Sequence, residues 1–474
     1  MPFRIEAEQV AYQYPQSNQG LPPISLTVAP GEFLHIAGVS GSGKSTLARC
    51  LTGMIPHLYR GTLHGRVLID GLETRDHPLW RLAEHAGMVF QNPSAQMLGV
   101  SVEDEIIFGL ENLGLPRDEI AARLEEVLNR FGLAGMRRRI PQTMSGGEQQ
   151  KLALAAIMAR RPSTLVLDEP FSMLDVTAAT ELVEHLTNLS REGTSVVVFE
   201  HRAEFLDGVP GLRRLSLNGT AHSVPLRPDT SAAPRFREPR EPLTLCAEGV
   251  TVQLGRHTVL RNLNLTVRGG ETVAIIGRNG IGKTTLLRAL GGLVPYDGRI
   301  DVNGERPDLG LVFQNADLQL FNASVRDEIL YRVDNPDMAL YEHLLDVLGL
   351  TRYENTPPLL LSEGEKKRVA LATVLLRQPR HGVLLDEPSL GQDLRHKQML
   401  LRVARALNDA GYVVIMTTHD LALAAGVDRI ILMGADGFVA DGPPGEVFAD
   451  HAAWASIGLY VPDWLYEDGR LTTL

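Results

Sequence analysis

The chain of 474 residues has room for roughly three domains by length alone, and its 44% hydrophobic and 22% charged content is that of an ordinary globular protein with ample core. A formal net charge of −11 argues against a general nucleic-acid binder, which would carry a basic balance or stripe. Cys50 and Cys246 are too few for a disulfide framework and lack metal-ligand spacing, so a reducing cytoplasm is the economical compartment. The opening Met-Pro-Phe-Arg-Ile-Glu lacks a signal-peptide pattern, and no apolar run approaches the ~20 residues a bilayer span requires. A role at a membrane would need another chain to supply the span.

In chain order, residues 3–31 alternate as strands do. The apolar run 33–37 leads into Gly38-Val39-Ser40-Gly41-Ser42-Gly43-Lys44-Ser45, which opens into the helical pattern Thr46-Leu47-Ala48-Arg49. This is strand, glycine-rich turn and helix start in the order G-x-x-x-x-G-K-[ST]. Glycines let the backbone curl so that successive N–H groups cradle phosphate oxygens, and the helix that follows aims its positive end at the same anion. Lys44 would reach the outer phosphates and the Ser45 hydroxyl would face Mg²⁺. Residues 65–71 read as a strand into a tight turn, and 87–91 as a short buried strand ending at Gln91. Residues 101–139 turn to helical period. Next come Met144-Ser145-Gly146-Gly147-Glu148 and a helix rich in alanine and leucine, then a buried strand ending in Asp168-Glu169-Pro170. A β-branched run ends in Glu200-His201. Strands alternating with helices predict an α/β fold with a mainly parallel sheet.

Between residues 223 and 242 the pattern stops. Pro225, Pro228, Pro234, Pro239 and Pro242 among arginines and small polar residues read as an extended linker. The order then repeats: Gly277-Arg278-Asn279-Gly280-Ile281-Gly282-Lys283-Thr284-Thr285, Gln314, Ser362-Glu363-Gly364-Glu365, Asp386-Glu387-Pro388 and His419. Ser145 to Ser362 spans 217 positions, while Asp168 to Asp386 and His201 to His419 each span 218. The lysine-to-glutamine interval shrinks in the second copy, so that copy is trimmed near its phosphate loop. The reading is a duplication: domain 1–222, linker 223–242, domain 243–474.

Asp168 and Asp386 end apolar strands at the carboxyl edge where α/β sheets bind ligands, and hard oxygen ligands suit Mg²⁺. Glu169 and Glu387 are placed to polarise an attacking water. For one occurrence a strand end and turn would be the simpler reading; the second at a matching offset speaks against it. Gln91 and Gln314, as possible metal ligands and γ-phosphate sensors, and His201 and His419 rest on their place in the series.

With six ordered elements present twice, both halves resemble ATP-binding cassette (ABC) ATPase domains. The resemblance implies two tandem P-loop nucleotide-binding domains, each with a RecA-like core, an antiparallel β subdomain and a helical subdomain, using ATP and Mg²⁺. It places Ser45, Gln91, Asp168, Thr284, Gln314 and Asp386 at the metal. His201 and His419 would touch the γ-phosphate, Asp175 and Asp393 would form the coupling loops, and Tyr14 would stack on the base where the second half has Leu254. It further implies that each signature completes the other domain's site: Ser362 with Lys44, Asp168 and Glu169; Ser145, Gly146 and Gly147 with Lys283, Asp386 and Glu387. Glu363 in place of a signature glycine would bring negative charge to the first of these. Two hydrolysis-competent but unequal sites are expected.

The stretches Phe90-Gln91-Asn92-Pro93-Ser94-Ala95-Gln96-Met97 and Phe313-Gln314-Asn315-Ala316-Asp317-Leu318-Gln319-Leu320 resemble the ATPases of energy-coupling factor (ECF-type) importers of vitamins or transition-metal ions. That likeness implies a transmembrane coupling protein and a small substrate-binding membrane protein as partners, and a place on the cytoplasmic face of the membrane. Acidic Glu103, Asp104, Glu105, Asp327 and Glu328 could receive basic coupling helices or simply start helices. Arg137-Arg138-Arg139 reads as a solvated face. Among rivals, a soluble tandem ABC protein acting on the ribosome would carry a long charged linker, and a sugar-importer ATPase fits the Q-N-x-x-x-Q stretches less well. DNA-repair relatives need coiled-coil heptads that are not seen, and Glu169 and Glu387 argue against a scaffold that binds ATP without hydrolysis.

Overall fold

The computed structural model describes residues 3–15, 20–38, 42–172, 174–200, 203–217, 236–255, 257–389, 394–462, 465–467 and 470–471. Val39, Ser40, Gly41, His201, Asp393 and most of the proline-rich stretch lie outside the described residues. The chain divides into two compact units, residues 1–226 and 227–474.

In the first unit, β1 (Ile5–Gln13) pairs antiparallel with β2 (Gly20–Val28) and β4 (Thr62–Ile69), and β4 continues into β5 (Leu72–Glu73). A second sheet has the order β6 (Ala86–Val89), β7 (Thr164–Asp168), β8 (Ser195–Phe199), β3 (Phe33–Ala37), β9 (Arg213–Ser216), all parallel. Strand periodicity sends successive side chains to opposite faces, and the central strands are apolar on both. Leu165, Leu167, Val196 and Val198 join one core. Val166, Val197, Phe199, Leu34 and Ile36 join another, with α1 (Lys44–Leu51) and the antiparallel sheet. Short α2 (Met54–His57) and α3 (Leu79–Leu82) follow α1 and β5.

The helices on the first core carry their apolar residues at helical spacing. In α4 (Val102–Glu111) Val102, Ile106 and Leu110 are buried; in α5 (Arg117–Arg130) Leu124, Val127 and Leu128 are. With α6 (Gly146–Met158) they form the helical subdomain, and α7 (Val176–Arg191) buries Ala179, Leu182, Leu186 and Leu189 in the same core.

The second unit repeats this plan. The antiparallel sheet is β11 (His257–Arg268), β10 (Thr244–Leu254), β13 (Asp297–Val302). The other sheet has the order β14 (Leu309–Val312), β15 (Gly382–Asp386), β16 (Val413–Thr417), β12 (Thr272–Ile276), β17 (Arg429–Gly434), β18 (Gly437–Gly442), with only β18 antiparallel to its neighbour. Its helices are α8 (Lys283–Leu290), α9 (Val325–Leu330), α10 (Met338–Val347), α11 (Glu363–Leu376) and α12 (Leu394–Asp409). The expected trimming is visible: β13 passes to β14 with no counterpart of β5 or α3 among the described residues. The end of the proline-rich stretch packs onto this unit, where the Tyr412 hydroxyl donates to the Arg237 carbonyl at 2.7 Å and Phe236 sets its ring edge-on to Tyr412. No described helix is long and apolar enough to cross a membrane.

Candidate nucleotide sites

Each phosphate loop joins the end of a central parallel strand to a helix. Gly43 and Gly282, one residue before Lys44 and Lys283, have φ of 91° and 109°, a region that L side chains avoid. A Cβ on Gly43 would also meet Leu21 Cδ1 at 3.0 Å, and one on Gly282 would meet Leu260 Cδ2 at 2.8 Å. Both lysines are buried and fold back into their own loops. Lys44 Nζ donates to Gly38 O at 2.7 Å; Lys283 Nζ donates to Gly277 O at 2.7 Å and Arg278 O at 3.0 Å. Among the neighbouring loop residues Ser42 and Thr46 are buried, Asn279, Ile281 and Thr285 half-buried, and Arg278 and Gly280 exposed.

Parallel register brings the acidic strand ends to the same edge: Asp168 sits opposite Phe199 and Asp386 opposite Thr417. Ser45 hydrogen-bonds Asp168. Thr284 Oγ1 donates to Asp386 Oδ1 at 3.1 Å, and Thr417 Oγ1 donates to the same oxygen at 2.7 Å. Burial pushes the Asp168 carboxyl up, opposed by the Ser45 bond, and its Oδ1 is buried with no hydrogen-bond partner. A hydroxyl and a carboxylate side by side, one carboxylate oxygen left unsatisfied, fit a hard divalent cation such as Mg²⁺. That ion takes few protein ligands and completes its shell with water and phosphate. Consistently, the described residues contain no cluster of three or more His, Cys, Asp or Glu that could hold a metal by itself.

The next residue is unusual in both units. Glu169 and Glu387 each have φ of 48°, the left-handed region, which costs a non-glycine residue about 1–2 kcal/mol. Strain of this kind persists where the surroundings enforce it, and functional sites are where it collects. Glu169 Oε2 accepts from Gln91 Nε2 at 2.7 Å, and its Oε1 lies 3.7 Å from Lys44 Nζ. Burial pushes its carboxyl up to about 8; the buried Glu200 carboxylate adds to this and Lys44 opposes it. Glu387 Oε2 accepts from the His419 N–H at 3.2 Å, while His419 Nε2 lies 3.3 Å from Glu387 Oε1 and 3.1 Å from Lys283 Nζ. Burial raises Glu387 to about 7, with Lys283 opposing. Lysine, histidine, glutamate and aspartate thus converge in the second unit. Gln314 is exposed, whereas Gln91 is half-buried.

The signature serines begin helices. Ser145 caps α6 and Ser362 caps α11, each in a reciprocal capping box with a glutamate three residues on, Glu148 or Glu365. Gly146, Gly147 and Gly364 occupy the first turns. The S-x-x-E spacing is itself a cap signal in the sequence. Glu363 does not present a bare charge: its carboxylate lies 3.2 Å from Lys366 Nζ, which also holds Asp317 at 2.8 Å. Asp175 caps α7, accepting from Ala178 N at 2.9 Å. Tyr14 is half-buried beside α1; its hydroxyl lies 3.1 Å from Thr46 Oγ1 and accepts from Arg49 at 3.2 Å. Leu254 is 45% exposed.

The acids after the glutamine loops stand in the first turns of α4 and α9, as the helix-start alternative has it. They are engaged within their own unit. Glu105 accepts from Leu98 N and Gly99 N, and buried Glu328 from Phe321 N and Asn322 N; Asp104 and Asp327 bond the capping Ser101 and Ser324. Glu103 pairs with Arg137 at 2.8 Å. The arginine run is therefore no idle face, since Arg137 also reaches Glu125 and Arg139 pairs at 3.1 Å with Glu148 of the signature cap. The second glutamine of each Q-N-x-x-x-Q stretch is an internal brace. Gln96 accepts from Phe90 N and donates to Met88 O; Gln319 accepts from Phe313 N and donates to Leu311 O.

Two phosphate loops, each beside a strand-end Asp-Glu pair in a unit that also carries a serine-capped signature helix, define a tandem nucleotide-binding protein. The ABC transporter family model matches residues 21–172 and 260–390, and the chain belongs to that family. It is 32% identical to a protein of Methanosarcina acetivorans classed provisionally as an ABC transporter ATP-binding protein, over 97% of this chain and 89% of the relative. It is 30% identical to YkoD of Bacillus subtilis, classed provisionally as an HMP/thiamine import ATP-binding protein, over 98% and 96%. Among solved structures, the archaeal ribosome recycling factor aABCE1, in complex with ribosomal stalk protein aP1, aligns with a TM-score of 0.60 at 23% identity. That alignment covers 95% of this chain and 92% of that one, a likeness of fold. The protein is an ABC ATPase with two tandem domains.

Proposed function

We propose that the chain is the ATP-hydrolysing subunit of an ECF-type importer of a vitamin or transition-metal ion, held at the cytoplasmic face of the membrane by a transmembrane coupling protein and a small substrate-binding membrane protein. The observation that carries this is a repeated apolar patch beside each glutamine loop. In the first unit Leu98, Val100 and Phe108 are 72%, 77% and 50% exposed around the loop that Glu105 fastens. In the second, Leu318 and Phe321 are 67% and 64% exposed, and Phe321 sets its ring edge-on to Tyr331 at 5.0 Å. Exposed apolar clusters on a rigid, backbone-clamped loop suit apolar helices of a partner. The near full-length likeness to a relative named for import supports the same reading.

In this reading Lys44 and Lys283 bind the outer phosphates. Ser45 with Asp168, and Thr284 with Asp386, hold Mg²⁺, with Gln91 and Gln314 beside it; the ion neutralises phosphate charge when bound. Glu169 and Glu387 take up a proton from the attacking water, and His201 and His419 steady the γ-phosphate. The pairing of each phosphate loop with the other unit's signature serine belongs to this proposal and rests on the family resemblance, as does Tyr14 as the base-stacking ring. ATP binding closes the units and hydrolysis releases them, moving the membrane subunits. Purification from native membranes is expected to bring down two polytopic proteins and a bound small solute. Recovery with ribosomes and without membrane proteins would overturn the reading.

A further inference from the structure

Lys367 lies on α11, five residues after the capping Ser362, and is 3% exposed. Its Nζ donates to the main-chain carbonyl oxygen of Glu387. Glu387 is the residue held at φ 48°, so this ammonium fastens the strained peptide that aims the carboxylate. Burial pulls the Lys367 ammonium down to about 8, and the nearby Glu387 and Asp386 charges oppose that cost. The first unit is built otherwise. The matching residue is Gln150, whose Nε2 is buried with no hydrogen-bond partner, and the Glu169 carbonyl accepts instead from Ser172 N at 3.2 Å within its own turn.

We propose that Lys367 is a positioning residue for Glu387, tying the water-polarising carboxylate of the second unit to that unit's own signature helix by a bond the first unit lacks. A shift of α11 at its Ser362 end then moves the Glu387 peptide directly. The inference rests on Glu387 being the residue that acts on water.

The test uses the full chain with Mg·ATP. Lys367→Met keeps length and removes donor and charge; Lys367→Arg keeps both. The expected result for Lys367→Met is a kcat lowered at least about twofold with ATP affinity unchanged; because Lys367 is a buried, paired cation, some fall in melting temperature accompanies it. Lys367→Arg recovers part of the rate. Because Lys367 acts through Glu387, the double variant Lys367→Met/Glu387→Gln should be no slower than Glu387→Gln alone. An unchanged kcat in Lys367→Met beside a slow Glu387→Gln overturns the proposal, as does a rate loss that is accounted for by a fall in ATP affinity. A Glu387→Gln variant as fast as wild type overturns the role of Glu387 and the inference with it.

Discussion

Glu169 should make the nucleotide-free protein less stable as pH rises, and Glu169→Gln should remove that dependence. Burial and the neighbouring Glu200 carboxylate raise Glu169 from 4.5 to about 8 in the folded chain. The unfolded chain loses this proton above about pH 4.5, whereas the folded one keeps it until about pH 8. The folded state therefore binds the extra proton throughout that window, and stability is fully present below 4.5 and lost as pH climbs to 8. Between pH 5.5 and 8.5 the loss has an upper bound of about 3 kcal/mol. For a unit of this size 1 kcal/mol moves the melting temperature by roughly 2–4 °C, so the gap between variant and wild type should widen by roughly 5–10 °C across that range. Scanning calorimetry of both proteins without nucleotide, at several pH values, reads the gap directly. A gap that stays constant with pH refutes the reasoning, because a neutral glutamine then replaces a group that folding does not perturb.

On the proposed pairing of the second phosphate loop with the Ser145 signature, Glu387→Gln is expected to lower the ATPase rate of the proposed transporter more than Glu169→Gln; equal losses in steady-state assays would refute the inequality. Gly43→Ala must place a Cβ at φ 91° and 3.0 Å from Leu21, so it should cost about 1–2 kcal/mol and weaken ATP binding at its own site, as read by calorimetric titration. Ser145→Ala removes the cap of α6 and should lower the first unit's melting temperature by roughly 2–4 °C, a cost of about 1 kcal/mol; no shift would deny the cap its contribution.

Much of this was legible in the residues because it is local. A glycine-lysine turn between an apolar strand and a helix needs no distant partner to be recognised, and buried strands announce themselves by continuous apolar runs such as those before Asp168 and Asp386. The trimming of the second copy could be counted from the numbering, and among the described residues it corresponds to missing counterparts of α2, β5 and α3. What stayed hidden depends on contacts across the fold. Nothing near Glu103 in sequence reveals Arg137 as its partner, so its acidity read as available for a coupling helix. Glu363 looked like an intrusion until Lys366 and Asp317 were seen around it. Nothing in the sequence pairs Lys367 with the Glu387 carbonyl, twenty positions away. The left-handed backbone of Glu169 and Glu387 carries no sequence signal, since neither is glycine or asparagine.

The duplication claim is tested most directly by counting nucleotides. Equilibrium titration of the chain with Mg·ATP analogue should give two bound per wild-type chain and one for each of Lys44→Ala and Lys283→Ala, the remaining site differing between the two. A stoichiometry of one in the wild type, or one left unchanged by either substitution, would contradict the account.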